Sequence, residues 1–348
     1  MTKGVIILNK IDIKHKHHYV FQAYLDHWAK DDQIWCCRKN KVFLTNTLNI
    51  AQERDFYRIK DLNVDEEKFI SVFLYNQPKE TREMVMDHIK LMRKPIKWKT
   101  AIDLFRETLE KQFYQDKNMP FELSNTLEDF QRFADSTVND LVEDIYSEDE
   151  GKAMVFFNQI MNEDLSFFYN PSSKQEDSFC DSKQRFIHFL CSQHFRTKSA
   201  RDRWVKGMED NYNIEIFERY GIDATKIRPD YLAHYVFWYI ESHVTDMLYQ
   251  QNTHLTLLVN NTIEPFITSD QPIINMKANY KTVEDAPDEL VFYYPISPHH
   301  AVLLNDKNTE KKILASDDDV ERYNAMIMNS AYEIIFANDR KLFEKYHF

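Results

Sequence analysis

Only four glycines occur in this chain of 348 residues, Gly4, Gly151, Gly207 and Gly221, and no two of them lie close together. A loop that wraps phosphate groups needs glycines, because they allow positive φ and let the backbone approach the ligand closely. Neither a P-loop nor a GxGxxG dinucleotide site is present. The chain therefore carries no nucleotide-cofactor motif, and it fits neither an ordinary kinase, an ATPase nor a Rossmann dehydrogenase. Hydrophobic residues make up 43% and charged ones 29%, the balance of a globular protein able to bury a substantial core. A net charge of −12 argues against a general nucleic-acid coat, which relies on many Lys and Arg contacts to phosphate, but it leaves local basic sites open. The four cysteines, Cys36, Cys37, Cys180 and Cys191, form no CxxC pair and read as reduced thiols. The apolar run 5–8 is too short for a signal peptide, and the aromatic stretch 236–240 falls far short of a membrane span. The expectation is a cytoplasmic protein without a membrane partner.

Residues 18–28 place Tyr19, Val20, Tyr24 and Leu25 at helical spacing. "QIWCC" and "KVFL", joined by Arg38-Lys39-Asn40-Lys41, predict a β-hairpin, and "RDFYRI" a further strand. From 63 to 250 apolar residues recur at three- and four-residue spacing, with Pro95, Pro120, Pro171 and Pro229 as punctuation. The last helix of this block is expected from Pro229, a good first-turn residue, to about Gln250. Strand character then returns. "THLTLLVN" and "EPFITSD" read as a hairpin around Asn260-Asn261, and "LVFYYPIS" and "HAVLLND" as a second one around Pro298. "DDDVERYNAMIMNSA" follows as a helix with an acidic start, and "YEIIFA" as a closing strand. The predicted architecture is one α+β domain over 1–348. It has an N-terminal helix and hairpin in 1–60, a helical block in 63–250, and a C-terminal sheet and helix in 254–348. Strands from both ends form a mainly antiparallel sheet.

Several polar groups stand out. In His15-Lys16-His17-His18, a helix starting near His17 puts His18 and Gln22 on one face. Histidines so placed suit divalent-metal binding or general-base work; a solvated or capped helix start is the alternative. In "QHFRTKSARDR", a single helix sets Gln193, Arg196 and Arg203 near one face, with Lys198, Arg201 and Lys206 adding charge. That pattern suits phosphate or carboxylate recognition, or else a helix end paired with nearby acids. In "KLMRKPIKWKT", five cations surround Trp98, a pattern for stacking a base beside its backbone or for a polar helix end. Helix 229–250 carries Asp230, His234, Trp238 and Glu241 as one stripe, which reads as a His–Glu network or an acid/base pair. "FITSD" ends an apolar strand in Thr268-Ser269-Asp270 before Pro272. A carboxylate there can hold a metal or orient a histidine, or it can bond its own backbone in a turn.

Taken in order, "HHYVFQAYLDHWA", "ERDFYRI", "QHFRTKSARDR", "FITSDQP" and "YYPISPHHAVLL" resemble an uncharacterised bacterial family, domain-of-unknown-function family four-two-three-eight. Its members share HHYVPxxYLxxF, RTxxxR, a TSDxP strand end and a PlSP turn, so the likeness covers nearly the whole chain. The resemblance marks His17, His18, Gln22, Arg196, Thr197, Arg201, Ser269, Asp270, Pro272 and Pro298, with Phe21 standing where the family has proline. It implies no established activity. The functional expectation is a hydrolase acting on a phosphate-bearing substrate, such as an RNA nuclease. Its catalytic residues would be His18, Asp270 and Arg196; Gln22, Gln193, Arg201, Arg203 and Ser269 would bind RNA or a nucleotide. Candidate ligands for a divalent metal are His17, His18 and Asp270. The alternative is a non-enzymatic interaction or sensor protein with a protein partner, in a bacterial defence or toxin–antitoxin setting.

Overall fold

Lys39 and Asn40 take φ of 50° and 60°, the left-handed pair that a two-residue turn between twisted strands demands. They join Gln33–Arg38 to Lys41–Asn46 in antiparallel register, Arg38 opposite Lys41 and Gln33 opposite Asn46, as the sequence predicts. The computed structural model describes residues 12–114, 121–171, 180–210, 214–251, 253–279, 289–305 and 310–346. The apolar run 5–8 and Pro120 lie outside them.

The fold is α+β, with residues drawn from two compact units. One takes its residues from 1–17, 53–147 and 213–232; the other from 18–52, 148–212 and 233–348. The first unit is helical, with Val64–Phe73, Lys79–Met92 and Lys94–Tyr114 as its main complete helices. Asn63 starts the first of these with a capping box, its side chain accepting from the Glu66 N–H while the Glu66 carboxylate accepts from the Asn63 N–H. Glu66 is fully buried and also takes two hydrogen bonds from the Arg228 guanidinium, at 2.8 and 2.6 Å. "RDFYRI" does not become a full strand: pairing ends at Arg54, and Asp55 enters a turn with φ of 54°.

Both larger sheets belong to the second unit. One has the strand order Lys312–Ala315, Leu255–Asn260, His300–Leu304, Phe292–Ser297, Ile274–Asn275. Its first pair is parallel and the rest antiparallel. The other runs Lys41–Asn46, Gln33–Arg38, Ile334–Ala337, Thr268–Ser269, all antiparallel. Leu255–Asn260 and Phe292–Ser297 are buried at every position, which explains why they read as continuous apolar runs rather than alternating ones. The hairpin around Pro298 forms as predicted. The one around Asn260-Asn261 does not: Leu255–Asn260 pairs with His300–Leu304, while Thr268–Ser269 joins the other sheet against Ile334–Ala337. Asn260 marks the divergence. Its side chain accepts from the Thr262 N–H at 2.9 Å and donates to the Glu264 carbonyl at 2.7 Å, holding a loop that leads the chain away.

The Asp317–Ser330 helix lies in the core of this unit, burying Val320, Tyr323 and Ile327 with Phe266, Ile267 and Ile335. Ser316 and Asp319 cap it reciprocally. No helix among the described residues is long and apolar enough to cross a membrane.

Candidate functional site

The histidine cluster does not sit on a helix. Residues Lys16–His18 are extended, the Tyr19 N–H bonds the Ala51 carbonyl at 3.0 Å, and the first helix is the single turn Gln22–Leu25. His18 and Gln22 therefore do not share a helical face. Phe21 precedes that turn with φ of −54°, a value that a proline ring would also allow at this position. His17, in the first unit, is completely buried and its ring is fixed by backbone groups. Its Nδ1 accepts from the Tyr57 N–H at 2.9 Å and its Nε2 donates to the Lys14 carbonyl at 2.8 Å. Burial holds its pKa below the ordinary histidine value. Both nitrogens are thus engaged, which leaves neither for a metal. His18, in the second unit, is half-buried, and its Nε2 donates to the Leu48 carbonyl at 3.2 Å.

"FITSD" is anchored from both sides. Thr268 Oγ1 lies 2.6 Å from the hydroxyl of buried Tyr24. Ser269 Oγ donates to the Gln271 carbonyl at 3.0 Å and accepts from its N–H at 3.2 Å, a local turn. Asp270, only 1% exposed, accepts three consecutive backbone N–H groups. Its Oδ1 takes Tyr332 at 2.9 Å; its Oδ2 takes Glu333 at 2.7 Å and Ile334 at 3.1 Å. Burial pushes its pKa up to about 6, against the pull of these donors. The carboxylate closes the turn that leads from the Asp317–Ser330 helix into the Ile334–Ala337 strand. Its partners are backbone groups, not the His18 ring.

Gln193 and Arg203 are on different helices, because the chain breaks between Ser182–Phe195 and Lys198–Asp210. Thr197 makes the break: its Oγ1 accepts from the Ala200 N–H at 3.2 Å as an N-cap, and donates to Gln271 Oε1 at 2.8 Å. Gln271 Nε2 in turn donates to the His194 carbonyl at 3.3 Å. The "FRT" and "TSDQ" segments are therefore brought together, through Gln271 and Thr197. Arg196 caps the first helix, donates from Nη2 to the His18 carbonyl at 3.2 Å and forms a buried ion pair with Glu150, the two side chains being 1% and 11% exposed. Arg201 pairs with Asp202, and Lys198 with both Asp202 and Glu333. Gln193 is buried in its helix and Arg203 is half-buried. Among the described residues, no three His, Cys, Asp or Glu side chains form a set able to hold a metal ion.

Around Trp98, which is 55% exposed, Arg93 is tied to Asp61 and Glu67, and Lys99 to Asp103 and Asp135.

A concave site lies elsewhere in the second unit. A cavity of about 680 Å³ is lined by Phe156, Phe167 and Phe189, by His188, and by Asp149 and Asp246, among others. His188 Nε2 stands 3.5 Å from Glu241 Oε1. Glu241 is the buried acid of the predicted stripe on Pro229–Gln250, but its histidine is His188 rather than His234. Burial pushes the Glu241 pKa up to about 8, against the Ser192 hydroxyl and the Arg196 charge, so the acid is largely protonated near neutral pH. Burial lowers the His188 pKa, while Asp149 and Asp246 are close enough to raise it. Sequence reading missed Glu150, His188 and Gln271. Gln271 was visible inside "TSDQP". Glu150 had a weaker signal, an acid three residues before Ala153 and seven before Phe157 on an otherwise buried helical stripe.

No curated protein and no solved structure matches the chain. Residues 16–341 match one family model, described as Protein of unknown function (DUF4238), and the motifs that Gln271, Thr197, Arg196 and Asp270 knit together lie within that span: the chain belongs to this family.

Proposed function

We propose that this protein works by binding, as a sensor or interaction protein that takes a small molecule in the cavity beside His188. One observation carries the reading: both Asp270 oxygens accept backbone N–H groups, so the carboxylate on which hydrolysis would have rested is a structural tie. The Arg196–Glu150 pair supports it in the same way, since a guanidinium neutralised by a buried carboxylate is poorly placed to take a phosphate. A cavity whose lining sets three phenylalanines among many polar side chains, with a nearby acid of displaced pKa, is a candidate ligand site. A cytoplasmic role in bacterial defence or a toxin–antitoxin pair, with a protein partner reading the bound state, belongs to the same proposal.

A second reading is favoured by the His188–Glu241 contact, an acid/base arrangement at the wall of a cleft that suits hydrolysis of RNA or a nucleotide. The two separate in one assay. Full-length protein incubated with RNA, DNA and small nucleotides in Mg²⁺, Mn²⁺ or Zn²⁺ should leave all of them intact. Turnover that follows the protein through purification and disappears in a folded His188→Ala variant would overturn the binding proposal in favour of the hydrolase.

A further inference from the structure

We infer that the cavity beside His188 recognises a small organic cation, an amine carried on an apolar body. This assignment rests on the binding role proposed above. The walls dictate the body: Phe156, Phe167 and Phe189 contribute aromatic surface, with Ala153 and Val155 beside them. Phe156 and Phe167 pack ring to ring with centroids 4.8 Å apart, so this wall is held in place rather than formed by loose side chains. Aromatic faces also attract cations, most strongly where water is excluded.

The charges dictate the head group. Asp149 and Asp246 both line the cavity and both act on His188. Among the described residues neither has an ion-pair partner. Of the two cations in the lining, Lys152 is paired with Glu148 at 2.7 Å, and the Arg185 guanidinium is turned to the Cys180 carbonyl at 3.1 Å, which fixes its position but leaves its charge. His188 offers no compensating charge, since burial favours its neutral form. The lining thus presents two carboxylates without ion-pair partners and a neutral imidazole, along with the hydroxyls of Ser242 and Thr245. An ammonium group would bridge Asp149 and Asp246 while its hydrocarbon lies on the phenylalanines. An anion of the same shape would meet two carboxylates that have no ion-pair partner among the described residues.

Three probes of one shape and different charge test this: phenethylamine, phenethyl alcohol and phenylpropionate, titrated calorimetrically into the full-length protein. Phenethylamine should bind in preference to both others. Asp149→Asn and Asp246→Asn should each weaken it by about tenfold, as expected for loss of one charge-assisted contact. Asp318→Asn, which removes the same charge from the exposed start of a distant helix, should leave it unchanged. Circular dichroism confirms that each variant is folded. If phenylpropionate or the alcohol binds as well as the amine, or if the two cavity variants leave amine affinity intact, the cation assignment fails while the binding role stands. If none of the three binds at millimolar concentration, the cation assignment fails, and the binding role is decided by the turnover assay on RNA, DNA and nucleotides.

Discussion

Asp270 and Glu241 are both acids buried in the second unit, and burial pushes both carboxyls upward, to about 6 and to about 8. Their surroundings differ in the number of donors. Asp270 meets three backbone N–H groups at fixed positions in a turn, which hold the ionised form against desolvation. Glu241 meets the Ser192 hydroxyl, a half-exposed imidazole at 3.5 Å and the more distant Arg196 charge, and its neutral form prevails. The first acid belongs to the architecture. The second stands behind the wall of a cavity and can gain or lose a proton without opening a turn. Burial alone does not account for the difference between these two carboxyls; the donor count does.

The largest expected effect comes from the buried ion pair between Arg196 and Glu150. Arg196→Ala leaves Glu150 buried without its cation and should cost about 3–5 kcal/mol in chemical denaturation. A loss below about 1 kcal/mol would mean the pair is not the internal tie described above. Asp270→Asn comes next. Asparagine keeps one acceptor oxygen for three N–H donors and forfeits the charge, so a loss of about 2–3 kcal/mol is expected near neutral pH. Near-wild-type stability combined with lost activity on RNA would reverse the assignment of Asp270.

Glu241→Gln sharpens the comparison through pH. The folded pKa of Glu241 lies above the unfolded value of 4.5, so the folded state holds a proton that the unfolded state has released. Its contribution to stability is complete below about 4.5 and is lost as pH rises through about 8. Glutamine resembles the neutral acid. The variant should match the parent below about 4.5, become progressively the more stable of the two as pH rises from about 4.5 to about 8, and hold a constant advantage above that, read from melting temperatures across that range. A variant that instead tracks the parent at every pH would show that Glu241 titrates normally. The smallest effect is expected at Arg201→Ala, which removes a part-exposed pair with Asp202 and should cost about 0.5 kcal/mol.

Local chemistry was legible in the sequence. Lys39-Asn40 between two apolar runs specifies a tight hairpin, Pro229 opens a helix that runs to Gln250, and Ser316 with Asp319 caps the next. Each depends on residues within a few positions of one another, so pattern and propensity suffice. The segments that form the buried knot were also legible, as motifs, though their roles were not. Arg196 looked like a phosphate clamp because its partner, Glu150, is 46 residues away and on another helix. Thr197 was read as part of a continuous helix because a hydroxyl N-cap in mid-pattern looks like any polar residue until Gln271 is seen to hold it.

The sequence by itself determined most of the long helices and the two tight hairpins, the absence of a glycine-rich phosphate loop and the positions of the polar landmarks. Tertiary structure alone decided which strand Thr268–Ser269 joins, which histidine meets Glu241, and where a cavity opens. The reason is physical. A polar side chain is defined by the partner that satisfies it, and for Asp270 those partners are backbone N–H groups 62 to 64 residues further along the chain, which have no signature in side-chain pattern.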